Sequence, residues 1–157
     1  MDITPRPGRF LRASDGQDRP VATGAREFRY AIALERSGRV TADGQAPLDL
    51  EPAWKPEHLL LAGLARCTLQ SLRFHADRGG ADFVGIASAS GRVTRREEDG
   101  RYAFVEIEVE LDLEVEPAPP GDELIALIAS AERDCFVGAS LDPPPRYRWR
   151  VNGTDVR

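Results

Sequence analysis

From Val105 to Glu116 apolar and acidic residues alternate without a break. Val105, Ile107, Val109, Leu111, Leu113 and Val115 fall on one side of the chain. Glu106, Glu108, Glu110, Asp112, Glu114 and Glu116 fall on the other. A period of two predicts a strand with one core face and one solvated face, as in an antiparallel sheet. Carboxylates in single file do not converge on one ion, so the acidic row reads as a solvated face and not as a cation site. A similar alternation runs through Phe28, Tyr30, Ile32 and Leu34, and through Tyr147, Trp149 and Val151, which interleave with Arg146, Arg148 and Arg150. Val84 to Arg95 reads as a further strand, joined to the acidic one by a hairpin turn at Glu98-Asp99-Gly100-Arg101. Ser37-Gly38 and Asp43-Gly44 mark turns, and Leu48 and Leu50 a short strand before Pro52.

Two stretches follow the helical period instead. Pro56 suits a first helical turn, and residues from Glu57 to about Arg78 read as one long helix ended by Gly79-Gly80. Leu59, Leu60, Leu61, Ala62, Leu64, Ala65, Cys67, Leu69, Leu72 and Phe74 leave its first half little polar surface, so the helix is expected to run buried through the protein. Beyond the stiff Pro117–Pro120 linker, Asp122 is the expected N-cap of a second helix reaching about Cys135. Leu124, Ile128, Ala131 and Cys135 share one face of it. Strands, long helix, hairpin, helix and strand in this order predict an α+β domain. The 157 residues are expected to form a single domain over 25–157, with 1–24 as a flexible tail rich in Pro, Gly, Arg and Asp.

Charge narrows the range of partners. The net charge is −5, and 20 arginines and the one lysine, Lys55, are scattered among 26 acids. A nucleic-acid footprint would need a clustered basic surface, so no nucleic-acid partner is expected. There is no apolar run long enough to cross a membrane and no secretory h-region near the N-terminus. A cytoplasmic location follows as an expectation, and structural disulfides are rare there. Cys67 and Cys135 are then either buried packing residues or reactive thiols, and spacing alone leaves both readings open. His58 and His75 do not complete a zinc pattern with them, and the histidines read as surface or helix-packing residues. No metal or other cofactor is expected.

The stretch Pro56-Glu57-His58-Leu59-Leu60-Leu61-Ala62-Gly63-Leu64-Ala65-Arg66-Cys67 resembles the P-E-x-L-h-x-A-[AG]-h-A-x-C signature that opens the central helix of the OsmC/Ohr family of peroxidases. The segment of Cys135 and the closing Tyr147-Arg148-Trp149-Arg150-Val151 strand resembles that family's second-cysteine region. Phe28 to Val151 follows its order of elements. The resemblance implies an antiparallel sheet packed with a long buried central helix and a second helix, in an intertwined homodimer. It also implies that the Cys67 thiolate attacks a hydroperoxide, releases an alcohol and becomes a sulfenic acid. Cys135 then condenses with it to a Cys67–Cys135 disulfide, which a dithiol, for instance on a lipoylated protein, reduces. A helix C-terminus at Cys135 would disfavour a thiolate and suit this resolving role. Cys67, three turns inside its helix, needs a nearby cation against the effect of burial.

Arg36-Ser37-Gly38-Arg39 resembles the family's R-x-G-R stretch, which makes Arg36 the candidate catalytic arginine and Arg39 the alternative. Glu57 takes the part of the carboxylate that orients it. Ten helical residues separate Glu57 from Cys67 by about 15 Å, so the two can meet only across chains or indirectly, and an obligate dimer is expected. Two departures mark a divergent OsmC-like branch: Glu51-Pro52-Ala53-Trp54-Lys55 lacks the glycine-rich segment of Ohr proper, and Phe136 stands where proline usually follows the second cysteine. Trp54 and Phe136 are either core residues or the lining of an apolar pocket that favours organic hydroperoxides. A non-catalytic dimer that binds an apolar small ligand is the competing reading.

Overall fold

The structure is a computed structural model that describes residues 26–156. The tail expected over 1–24 lies outside them. The described residues fall into two compact units, one ending at Asp49 and the other beginning at Leu50.

The first unit carries a three-stranded antiparallel sheet, β1 (Ile32–Leu34), β2 (Arg39–Ala42) and β3 (Leu48–Asp49). Its turns are the two expected ones, with Gly38 and Gly44 at φ of 90° and 73°, where a side chain is disfavoured. Ile32, Leu34 and Leu48 are exposed within the chain.

The second unit begins with α1 (Pro56–Gly79), of 24 residues. Pro56 opens it, and the Lys55 N–H, which precedes the first turn, is taken up by His58 Nδ1 at 3.2 Å. Gly80, in the left-handed region, closes it, its N–H and that of Ala81 returning to the carbonyls of Asp77 and Ala76. The helix is followed by β4 (Asp82–Arg95) and β5 (Tyr102–Glu116), a long antiparallel hairpin. Then come α2 (Gly121–Arg133), the single turn α3 (Phe136–Ala139), β6 (Arg146–Val151) and β7 (Thr154–Asp155).

The core lies between the helices and the inner face of this sheet. Ile107, Val109, Leu111, Leu113 and Val115 of β5 are buried there, as the alternation predicts, with Trp149 and Val151 of β6. The Trp149 indole donates to Glu132 Oε1 on α2 at 2.8 Å, which ties helix to strand. On the outer face the acids are not merely solvated. Arg146 reaches Glu106 and Glu108, and Arg148 reaches Glu108 and Glu110, so that β6 sets a row of guanidinium groups beside the row of carboxylates.

Three expectations need correction. The sheet is not antiparallel throughout, because β6 runs parallel to β5, with Leu111 opposite Trp149 and Leu113 opposite Val151. A parallel neighbour needs a long crossover, and the helices between Pro117 and Pro145 supply it. Nor is α1 buried all round. Its covered stripe is Leu64, Thr68, Ser71, Leu72 and Ala76, while Leu59, Ala62 and Phe74 are exposed, since sheet and α2 cover one side only. Finally, Asp122 does not cap α2. Pro120 precedes the helix and its carbonyl accepts from Leu124 N–H, leaving Asp122 and Glu123 in the first turn, where they complement the helix dipole.

Candidate active site

Cys67 and Cys135 come together in the second unit, from opposite sides of the α1–α3 contact. Both are free thiols, and their sulfurs face neighbouring backbone N–H groups of one turn, those of Val137 and Gly138. Cys67 sits on the flank of α1's buried stripe and is partly accessible, whereas Cys135 is fully buried.

The expected place of Cys135 at a helix C-terminus is not observed. α2 stops at Arg133, capped by Asp134, and Cys135 is instead the N-cap of α3. Its Sγ accepts from Gly138 N–H at 3.3 Å, and Cys67 Sγ accepts from Val137 N–H at 3.5 Å. One tight turn thus aims successive backbone N–H groups at both sulfurs. Burial first, then the neighbouring Cys135, raises the Cys67 thiol above its ordinary value, and the N–H groups of Val137 and Phe136 oppose this.

Two hydroxyls border the pair. Thr68, wholly buried beside Cys67, donates to the Leu64 carbonyl at 3.0 Å and lies 3.6 Å from Cys135 Sγ. Tyr147 Oη is buried next to Gly138, and burial raises its pKa strongly. Behind Cys135, Asp134 pairs with His75 Nε2 at 2.9 Å, holding the α2–α3 turn to α1. Its carboxyl is lowered to about 2, chiefly by the bidentate Arg133 bond and then by His75. His75 thus spans two elements, and His58 serves the start of α1.

Glu57 is exposed in the first turn of α1, and the straight rise of about 15 Å to Cys67 keeps the two from meeting within this helix. Arg36 is exposed in the β1–β2 turn of the first unit, and Arg39 there reaches Asp49 at 3.5 Å. Trp54 lines an apolar groove of about 530 Å³ with His58, Leu61, Ala62 and Ala65 of α1 and Ala87 and Ala89 of β4. Phe136 is no part of that lining and is exposed at the start of α3. Among the described residues no three His, Cys, Asp or Glu side chains are grouped as ligands for a metal, and no helix is long and apolar enough to cross a membrane.

Sequence reading passed over Thr68. The signal was present, since Leu64, Thr68, Leu72 and Ala76 recur every fourth residue and place a polar side chain on the buried stripe. Asp134 and His75 left no such mark, because their pairing joins residues 59 apart.

Most of the chain matches known folds. An OsmC-like protein from Mycoplasma pneumoniae superposes with a TM-score of 0.58 at 19% identity, over 81% of this chain and 96% of that one. An organic hydroperoxide resistance protein OsmC from Legionella pneumophila gives 0.54 at 22%, over 81% and 98%. An OsmC-like protein of unknown function from Vibrio cholerae gives 0.58 at 13%, over 81% and 99%. No curated protein sequence matches the chain significantly. The OsmC family of OsmC-like proteins matches residues 48–150, which include both cysteines and the turn that faces them, and the chain belongs to that family.

Proposed function

We propose that this protein is a thiol peroxidase that reduces organic hydroperoxides. The carrying observation is that a partly accessible Cys67 and a buried Cys135 accept from adjacent N–H groups of one turn. Accessibility suits Cys67 to attack the peroxide, becoming a sulfenic acid as the alcohol leaves. Cys135 then displaces the hydroxyl oxygen, which departs as water, and a Cys67–Cys135 disulfide results. An external dithiol returns the pair to thiols. The apolar groove at Trp54 supports a preference for organic over hydrogen peroxide.

Burial works against the Cys67 thiolate, so the reaction requires a cation. Arg36 is the stronger candidate, because Arg39 already reaches Asp49. Glu57 is proposed to orient that arginine, and the reach from Glu57 to Cys67 supports a homodimer in which one chain's Glu57 serves the other's cysteine. The exposed apolar residues Leu59 and Phe74 support the same assembly.

The test uses reduced protein, cumene hydroperoxide and a dihydrolipoyl dithiol, beside Cys67→Ser. Peroxide loss that depends on Cys67, with both thiols gone after one equivalent, supports the reading. Equal consumption by the two proteins overturns it. The same groove favours a second reading, a non-catalytic dimer that binds an apolar small ligand, and a Cys67 that resists thiol reagents until unfolding would decide for it.

A further inference from the structure

The hydroxyls of Thr68 and Tyr147 take no part in the chemistry described above, yet both are buried against Cys135. A hydroxyl has one proton, and that of Thr68 goes to the Leu64 carbonyl at 3.0 Å. Toward Cys135 Sγ, 3.6 Å away, Thr68 Oγ1 therefore offers a lone pair, and the thiol is the donor. Tyr147 Oη is buried with no well-formed hydrogen bond, and Thr68 and Cys135 are the polar groups it faces. Buried donors in native proteins are almost always satisfied, so an orphan beside a sulfur points to an acceptor in another state of the site. A neutral thiol accepts weakly, whereas a thiolate accepts well. Gly138 completes the surroundings. Its N–H already donates to Cys135 Sγ at 3.3 Å, and a β-carbon there would come within 2.5 Å of Tyr147 Oη.

Resting on the reading of Cys135 as the resolving thiol, we infer that Thr68, Tyr147 and the Gly138 N–H form a cradle that stabilises the Cys135 thiolate for its attack on oxidised Cys67. In the resting thiol the S–H points at Thr68 Oγ1. On ionisation the Thr68 hydroxyl turns its proton from the Leu64 carbonyl to the sulfur, and Tyr147 donates its phenol proton as a hydrogen bond. The Leu64 carbonyl keeps its helical N–H partner, so the turn costs it little. In the peroxide cycle the S–S bond forms as the S–O bond of the Cys67 sulfenic acid breaks. The departing hydroxide takes up the proton that Cys135 released and leaves as water.

The step can be followed without peroxide. An aromatic disulfide reagent first reacts at Cys67, releasing one coloured aryl thiolate and leaving a mixed disulfide. The Cys135 thiolate then attacks the Cys67 sulfur of that mixed disulfide and expels a second aryl thiolate, so the two phases report the two cysteines in turn. In Thr68→Val and Tyr147→Phe the first phase is expected within about twofold of the native rate. The second phase is expected to be about tenfold slower, with its pH midpoint about one unit higher. Thr68→Ser, which keeps the hydroxyl, restores both. An unchanged second phase in both variants overturns the cradle. So does slowing without a shifted midpoint that Thr68→Ser does not relieve, since that marks packing. A native protein with no second phase overturns it too. Peroxide turnover, measured separately, fails on its own if the peroxidase reading is at fault.

Discussion

At the scale of single residues, the chemistry of Cys67 is a contest between burial and hydrogen bonding that burial wins. The proposed cycle would draw its remaining thiolate stabilisation from a cation, and the sign of the effect is fixed. Losing that cation leaves less thiolate at a given pH. Arg36→Ala is accordingly expected to move the midpoint of Cys67 alkylation upward by about one pH unit, and Arg39→Ala to leave it in place. A midpoint unmoved in both variants would remove these arginines from the site. Asp134 offers a stability counterpart. Its folded pKa is depressed, so its contribution is present above the ordinary carboxylate range and is lost as pH falls toward about 2. The group is substantially open to solvent, which limits the effect. Asp134→Asn should cost no more than about 1 kcal/mol in denaturant unfolding at pH 7, and the difference should close as pH falls below about 4.

At the scale of elements, packing outweighs charge. Gly85 in β4 has φ of 149°, and a β-carbon there would sit 2.2 Å from the Asp112 carbonyl on the paired strand. Backbone strain and collision act together, so Gly85→Ala is expected to destabilise by about 2–4 kcal/mol. Arg148, with two carboxylate partners on the exposed face, is expected to cost less than about 1 kcal/mol as Arg148→Ala, and less again in high salt. The ranking of these two variants by chemical denaturation checks the claim. Elements with a repeating pattern were readable from the sequence, and elements without one were not. β5 carries six apolar positions in strict alternation, and α1 has Pro56 and Gly80 at its ends. α3 has four residues, too few for a period, so the apolar face of α2 appeared to continue to Cys135. That single extension misplaced the cysteine from an N-cap to a helix C-terminus. The parallel pairing of β5 with β6 escaped for a different reason, because alternation reports which face a strand buries and not the direction of its neighbour.

At the scale of the whole molecule, the proposed dimer is the claim most open to direct measurement. Sedimentation equilibrium should give the mass of two chains at micromolar concentration, and Phe74→Glu should weaken the association and make the melting temperature depend on protein concentration. A monomer in both cases would leave Glu57 without a cysteine to serve. The shared turn at the two sulfurs has a separate thermodynamic reach. Cys67 and Cys135 lie 68 positions apart in sequence, and a covalent bond between them would tie a large loop of the denatured chain. On the loop-closure scale that restriction is worth about 4 kcal/mol, much of the stability of an ordinary domain. The oxidation state of the pair would then be written in the melting curve. Peroxide exposure should harden the protein against heat, and its reductant should soften it again.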